Sequence, residues 1–156
     1  MANLAFDQIV DLGRLEIKLG TYAESNATAL TDITWHARAQ EYRRRAAARM
    51  YPLSKSDIFK RVAKSNYHVS LKIDGQFALL IYKDGQVATV NPGGTVRVGL
   101  PWQDEAPQLL KATGVSFALV SGEVYLASDD KKTRTRVHDV TSALRQPSGT
   151  EHLGRI

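Results

Sequence analysis

The chain has 156 residues, 43% hydrophobic and 24% charged, a length that suits one domain with its own core and excludes a multidomain machine. The absence of cysteine excludes a disulfide framework, a thiolate metal site and a cysteine nucleophile. Lysine and arginine (21) outnumber aspartate and glutamate (16), giving a net charge of +5, and no apolar run approaches the roughly 18 residues of a membrane span.

Met1 to Val10 contains Asp7 and lacks a basic lead-in, so no signal peptide is evident. The expectation is an intracellular, cytoplasmic protein without a membrane partner. Between Gly13 and Gly20, Leu15, Ile17 and Leu19 alternate as in a short strand. Trp35, Ala39, Tyr42, Ala46 and Met50 recur at spacings of three and four, which predicts a helix from about Thr34 to Met50, stopped by Pro52. Ser54 followed by Asp57 resembles a capping box, and Ile58, Phe59 and Val62 give a second, short helix an apolar side. From Trp35 to Asn66, nine basic residues (Arg38, Arg43, Arg44, Arg45, Arg49, Lys55, Lys60, Arg61, Lys64) face two acidic ones, Glu41 and Asp57. Such a field attracts phosphate polymers; a solvated helix face reads the same way.

After Asn66 the pattern changes to period two. Tyr67–Ile73, Gln76–Tyr82 and Gln86–Val90 read as strands, punctuated by the tight-turn dipeptides Asp74-Gly75 and Asp84-Gly85. Asn91 to Gly94 is a further turn before a strand at Val96–Val98. Asp104 to Ala112 is expected to be helical and closed by Gly114. Val115–Ala127 is a long apolar strand region, and Thr133–Val140 alternates and is expected to pair back on it. Gln146 to Ile156 lacks periodicity and reads as a frayed tail or cut linker. The fold class is therefore α+β, a largely antiparallel sheet with flanking helices, divided into a helical, basic part (1–50), a sheet part (51–145) and the tail (146–156).

The residues suited to chemistry lie in the sheet part. Lys72 ends an apolar strand ahead of Asp74-Gly75, where its amine would point into a cleft; a neutral amine is a usable nucleophile. The same tetrapeptide is also an ordinary hairpin turn with Lys72 facing water, and Lys83-Asp84-Gly85 is a near copy of it. Glu123 sits between Phe117-Ala118-Leu119-Val120 and Val124-Tyr125-Leu126, where an unpaired charge is costly, so it needs a basic side chain, a metal or a ligand hydroxyl. Arg136 to Val140 adds His138 and a further carboxylate, Asp139.

In this order the residues resemble the covalent nucleotidyltransferase superfamily of ATP-dependent DNA ligases, RNA ligases and capping guanylyltransferases. Lys72, Asp74 and Gly75 match its Lys-x-Asp-Gly nucleophile motif, and Gly122-Glu123 its following Gly-Glu motif. His138-Asp139-Val140 looks like the aromatic-Asp-aliphatic motif, and Tyr51-Pro52-Leu53 through Tyr67-His68-Val69-Ser70 is similar to the lead-in. The resemblance covers about residues 50–145 and implies that 1–145 is part of an adenylation domain. It implies that Lys72 takes AMP from ATP with Mg²⁺, aided by Asp74, and passes it to a 5′-phosphate of nicked DNA or RNA. It further implies nucleotide contacts from Gly75, Glu123, His138 and Arg97, with Glu123 also toward a metal-bound water. Arg38, Arg43, Arg44, Arg45, Arg49, Lys60, Arg61 and Lys64 would contact the nucleic-acid backbone.

The sequence also departs from the family. Phe77 stands where DNA ligases have an arginine, no Glu-Gly motif follows His138, and no late Lys-x-Lys pair follows that. The expectation is a truncated adenylation domain, DNA ligase ahead of RNA ligase, whose partners include the C-terminal part of a longer ligase. The alternative is a catalytically silent, basic nucleic-acid-binding module or a degenerate fragment of a ligase, inactive as this chain alone.

Overall fold

Alternating side chains and tight turns build a six-stranded, wholly antiparallel sheet in the computed structural model, which describes residues 6–48, 53–62, 72–128 and 135–156. The strands are β1 (Glu16–Leu19), β2 (Tyr22–Asn26), β3 (Gln76–Lys83), β4 (Gln86–Val90), β5 (Thr95–Val98) and β6 (Phe117–Val124), in the order β1-β2-β5-β4-β3-β6. The helices are α1 (Thr34–Ala48), α2 (Lys55–Val62), α3 (Ala106–Ala112), α4 (Val137–Arg145) and α5 (Thr150–Leu153). The α+β class holds. No helix among the described residues is long and apolar enough to cross a membrane.

Asp84 and Gly85 both take left-handed backbone angles (φ 47° and 86°), the primed turn that matches strand twist, and this fixes the β3–β4 register from Lys83↔Gln86 onward. Asp74 and Gly75 do not share that conformation. Lys72–Gly75 has no regular structure and leads into β3, so the hairpin expected there is not formed by this dipeptide. Of the strand expected at Tyr67–Ile73, residues 67–71 lie outside the described residues, as do Arg49 to Pro52 and Lys64.

Because strand side chains alternate, the sheet has two different faces. Leu79, Ile81, Ala88, Val90, Val96 and Val98 form one, buried under Trp35 and Ala39 of α1. The Trp35 ring stacks on Phe117 of β6 with centroids 6.1 Å apart. On the other face Tyr22 packs with Val140, Ala143 and Leu144 of α4 and Leu153 of α5. Polar groups are also buried there. Arg97 Nε lies 2.7 Å from Glu24 Oε1, and its Nη1 donates to Gln76 Oε1 at 2.7 Å. The Tyr22 hydroxyl donates to Glu24 at 2.6 Å, with the Leu144 carbonyl at 3.1 Å as the other acceptor. Burial, reinforced by the bond to Glu24, holds that phenol far above its usual pKa.

Two expectations are corrected. The stretch read as a returning strand, Thr133–Val140, contains instead the start of α4, with residues 133–134 outside the described residues. Asp139 accepts a hydrogen bond from the Arg136 backbone at 2.7 Å, closing the first turn, and Val140, Ala143 and Leu144 then bury one helical stripe. The tail is not frayed: Leu153 is buried, and the Arg155 carbonyl accepts from the Ala127 backbone at 2.7 Å. The second helix forms as expected, with Ser54 Oγ accepting from the Asp57 backbone at 3.2 Å, but Ile58 and Phe59 remain exposed.

Helix α1 begins on Asp32, whose Oδ1 accepts from the Thr34 backbone at 2.9 Å and the Thr34 hydroxyl at 2.6 Å. These bonds hold the Asp32 carboxyl below the usual carboxylate range. A depressed carboxylate stabilises the fold above its unfolded pKa and loses that contribution as pH falls through its folded pKa. Asp32→Ala should therefore lower the urea midpoint at neutral pH, and the gap to wild type should close on acidification through that window.

Candidate active site at the β3–β6 edge

Gly75 explains why Lys72-Ile73-Asp74-Gly75 lies where it does. A Cβ on Gly75 would stand 2.4 Å from the Val124 carbonyl oxygen and 3.3 Å from the Tyr125 Cβ, so only glycine lets this segment seat against the chain at the end of β6. The seat is continued by strand pairing, with Gln76 opposite Val124 and Phe77 opposite Glu123. The Lys-x-Asp-Gly and Gly-Glu segments are thereby neighbours, although 51 positions separate Lys72 from Glu123.

Charges converge on the Glu123 carboxyl. Its pKa is raised, first by partial desolvation; the positive charges of Arg43 and Lys72 oppose this, and the negative charge of Asp74 adds to it. Arg43 reaches the site from α1, its guanidinium carbon 6.0 Å from the centroid of the Phe77 ring. Two cations and two carboxylates thus share one end of the β3–β6 pair. Lys72 and Arg43 act on Glu123 through their charge, with no ion pair to it among the described residues, and the setting differs from a strand interior. Strand β6 forms the sheet edge, and Ser121, Gly122 and Glu123 are exposed. Lys72 and Asp74 are exposed as well, so the lysine is not enclosed in a cleft.

On the opposite face of the sheet from Arg43 and Phe77 lies an apolar groove of about 340 Å³, walled by Ala78, Leu80, Trp102, Val120 and Tyr125, with Glu123 at its margin on the edge strand. The other residues expected at the site are placed differently. Arg97 is held by Glu24 and reaches the segment through Gln76, the residue after Gly75. His138 is on the exposed first turn of α4, with Nε2 3.4 Å from Asp139 Oδ1. It neither lines the groove nor is among the charged groups acting on Glu123.

The basic helices divide into paired and unpaired charges. Arg38 and Arg45 both bind Glu41, at 3.0 and 2.6 Å. Arg44 faces a separate surface hollow with Thr34 and Ala37, and Lys60 and Arg61 are exposed on α2. Arg49 and Lys64 lie outside the described residues. The residue that sequence reasoning assigned elsewhere is Arg43. Its spacing gave the signal, since it follows the buried Trp35 and Ala39 in steps of four.

Among the described residues no group of three or more His, Asp or Glu gathers to cage a cation. Mg²⁺ does not require one: it keeps several waters and binds through one or two carboxylates together with substrate phosphates. Asp74 and Glu123 fit that donor set. Comparison with protein-family models, with curated proteins and with solved structures found no match.

Proposed function

We propose that this chain carries the nucleotide-binding part of an ATP-dependent polynucleotide ligase, DNA ligase ahead of RNA ligase, with Lys72 as its nucleophile. One observation carries the reading: Gly75 seats against β6 where a turn was the ordinary alternative, and so sets Lys72 beside Glu123. The order of Lys72, Asp74, Gly75, Gly122 and Glu123 in the sequence supports it.

In this reading the unprotonated Lys72 amine attacks the α-phosphorus of ATP. The Nζ–P bond forms, the bond to the bridging oxygen breaks, pyrophosphate leaves with that electron pair, and the amine proton passes to solvent. An oxygen of a nucleic-acid 5′-phosphate then displaces Lys72 from the AMP. A 3′-hydroxyl finally displaces AMP and seals the strand. Bound magnesium would neutralise phosphate charge as each transfer proceeds. Glu123 and Asp74 hold water or ribose hydroxyls beside the transferred group.

A second reading, a nucleic-acid-binding module without chemistry, is favoured by the exposure of Lys72 and of Lys60 and Arg61 on α2. Incubation with ATP and Mg²⁺ separates the two. Covalent label from α-labelled but not γ-labelled ATP, dischargeable by nicked DNA or RNA, is the expected result. Absence of label together with salt-sensitive binding of DNA or RNA would transfer the assignment to the second reading.

A further inference from the structure

We propose that Arg43 of α1 belongs to this site and forms, with Lys72, a two-cation seat for the phosphates of a polyphosphate ligand; the proposal rests on the nucleotide reading above. Arg43 is exposed, one turn beyond Trp35 and Ala39, which lie on the same stripe of α1 and are buried against the sheet. Its contact with the Phe77 ring consumes none of its five N–H donors. Arg38 and Arg45 on the same helix are occupied by Glu41, whereas no ion pair engages Arg43 among the described residues. Phe77, under the Arg43 guanidinium, lies opposite Glu123 in the β3–β6 pair, and Gly75 seats the Lys72 segment against the end of the same pair, so both cations come to one end of it. A planar guanidinium next to a lysine ammonium is a combination suited to phosphate oxygens, one bidentate and one a point charge.

The test is calorimetric titration of the full chain with sodium tripolyphosphate, with magnesium-free ATP and with adenosine, alongside melting curves. Arg43→Gln should weaken tripolyphosphate and ATP at least about tenfold, the worth of one charge-assisted hydrogen bond, and leave adenosine unchanged. Arg44→Gln removes the same charge one residue away and should change all three less than about twofold, because Arg44 faces a separate hollow with Thr34 and Ala37 and an exposed charge at a distance is screened. Should Arg43→Gln melt below the assay temperature, Arg43→Lys decides: it keeps the charge, loses the fork, and should weaken both phosphate ligands measurably. Equal affinity in wild type and the Arg43 variants would overturn the proposal, as would an equal loss in Arg44→Gln. Tripolyphosphate binding that depends on Arg43 in a protein that takes no label from ATP would uphold the seat and refute the nucleotidyl-transfer reading. No binding of either phosphate ligand by wild type would refute the seat.

Discussion

Lys72→Ala is expected to remove all covalent labelling by α-labelled ATP while melting at the wild-type temperature. The loss is complete because the amine is the group that forms the bond, and nothing nearby substitutes for it. Stability is spared because Lys72 is exposed and outside the sheet, where a substitution usually changes stability by less than about 0.5 kcal/mol. Lys72→Arg should be equally silent, since a guanidinium does not give up its proton near neutral pH. The near copy provides the control. Lys83 ends β3 opposite Gln86 and Phe117, at the far end of an eight-residue strand from Gly75, a run of roughly 25 Å at strand rise. Lys83→Ala should label as wild type does. Loss of label in Lys83→Ala with retention in Lys72→Ala would exchange the roles of the two lysines.

Gly75→Val should have the second-largest effect, and it should strike stability and labelling together. A Cβ at this position meets the Val124 carbonyl oxygen at 2.4 Å, a backbone atom that cannot swing aside. The Lys72–Gly75 segment must then lift from β6, at a cost of about 1–3 kcal/mol for overpacking. Labelling should fall well beyond the fraction unfolded, because the lifted segment carries Lys72 away from Glu123. Gly85→Ala separates the two effects. Gly85 has φ +86° and open space around it, so alanine there pays about 1–2 kcal/mol of left-handed strain. Its labelling per folded molecule should be unchanged. A Gly75→Val protein that labels normally would show that the seat on β6 does not position the lysine.

The sequence made the local elements legible and the long-range pairings hidden. Strands β3 and β4 alternate cleanly about Asp84-Gly85, and the structure begins and ends them within a residue of that pattern. Strand β2 was not legible because Glu24 is inward-facing and polar; its partner, Arg97, is 73 residues away. The start of α4 alternates like a strand through Arg136-Val137-His138-Asp139-Val140, and only Ala143 and Leu144 reveal the helical stripe. That difference removed His138 from the expected strand. Two Asp-Gly dipeptides look alike in sequence, yet Asp84-Gly85 turns and Asp74-Gly75 does not. What separates them is the Val124 carbonyl above Gly75, a contact no local pattern encodes. Arg43 does not stand out among the basic residues of 35–66, because net charge does not report which arginine shares a helix face with Trp35 and Ala39.

The most direct measurement is mass-spectrometric mapping of the protein after incubation with ATP and Mg²⁺. The account predicts AMP on the peptide containing Lys72, at that lysine, and none on the peptide containing Lys83. AMP at another lysine, or an unmodified Lys72 in protein that has joined nicked strands, would contradict it.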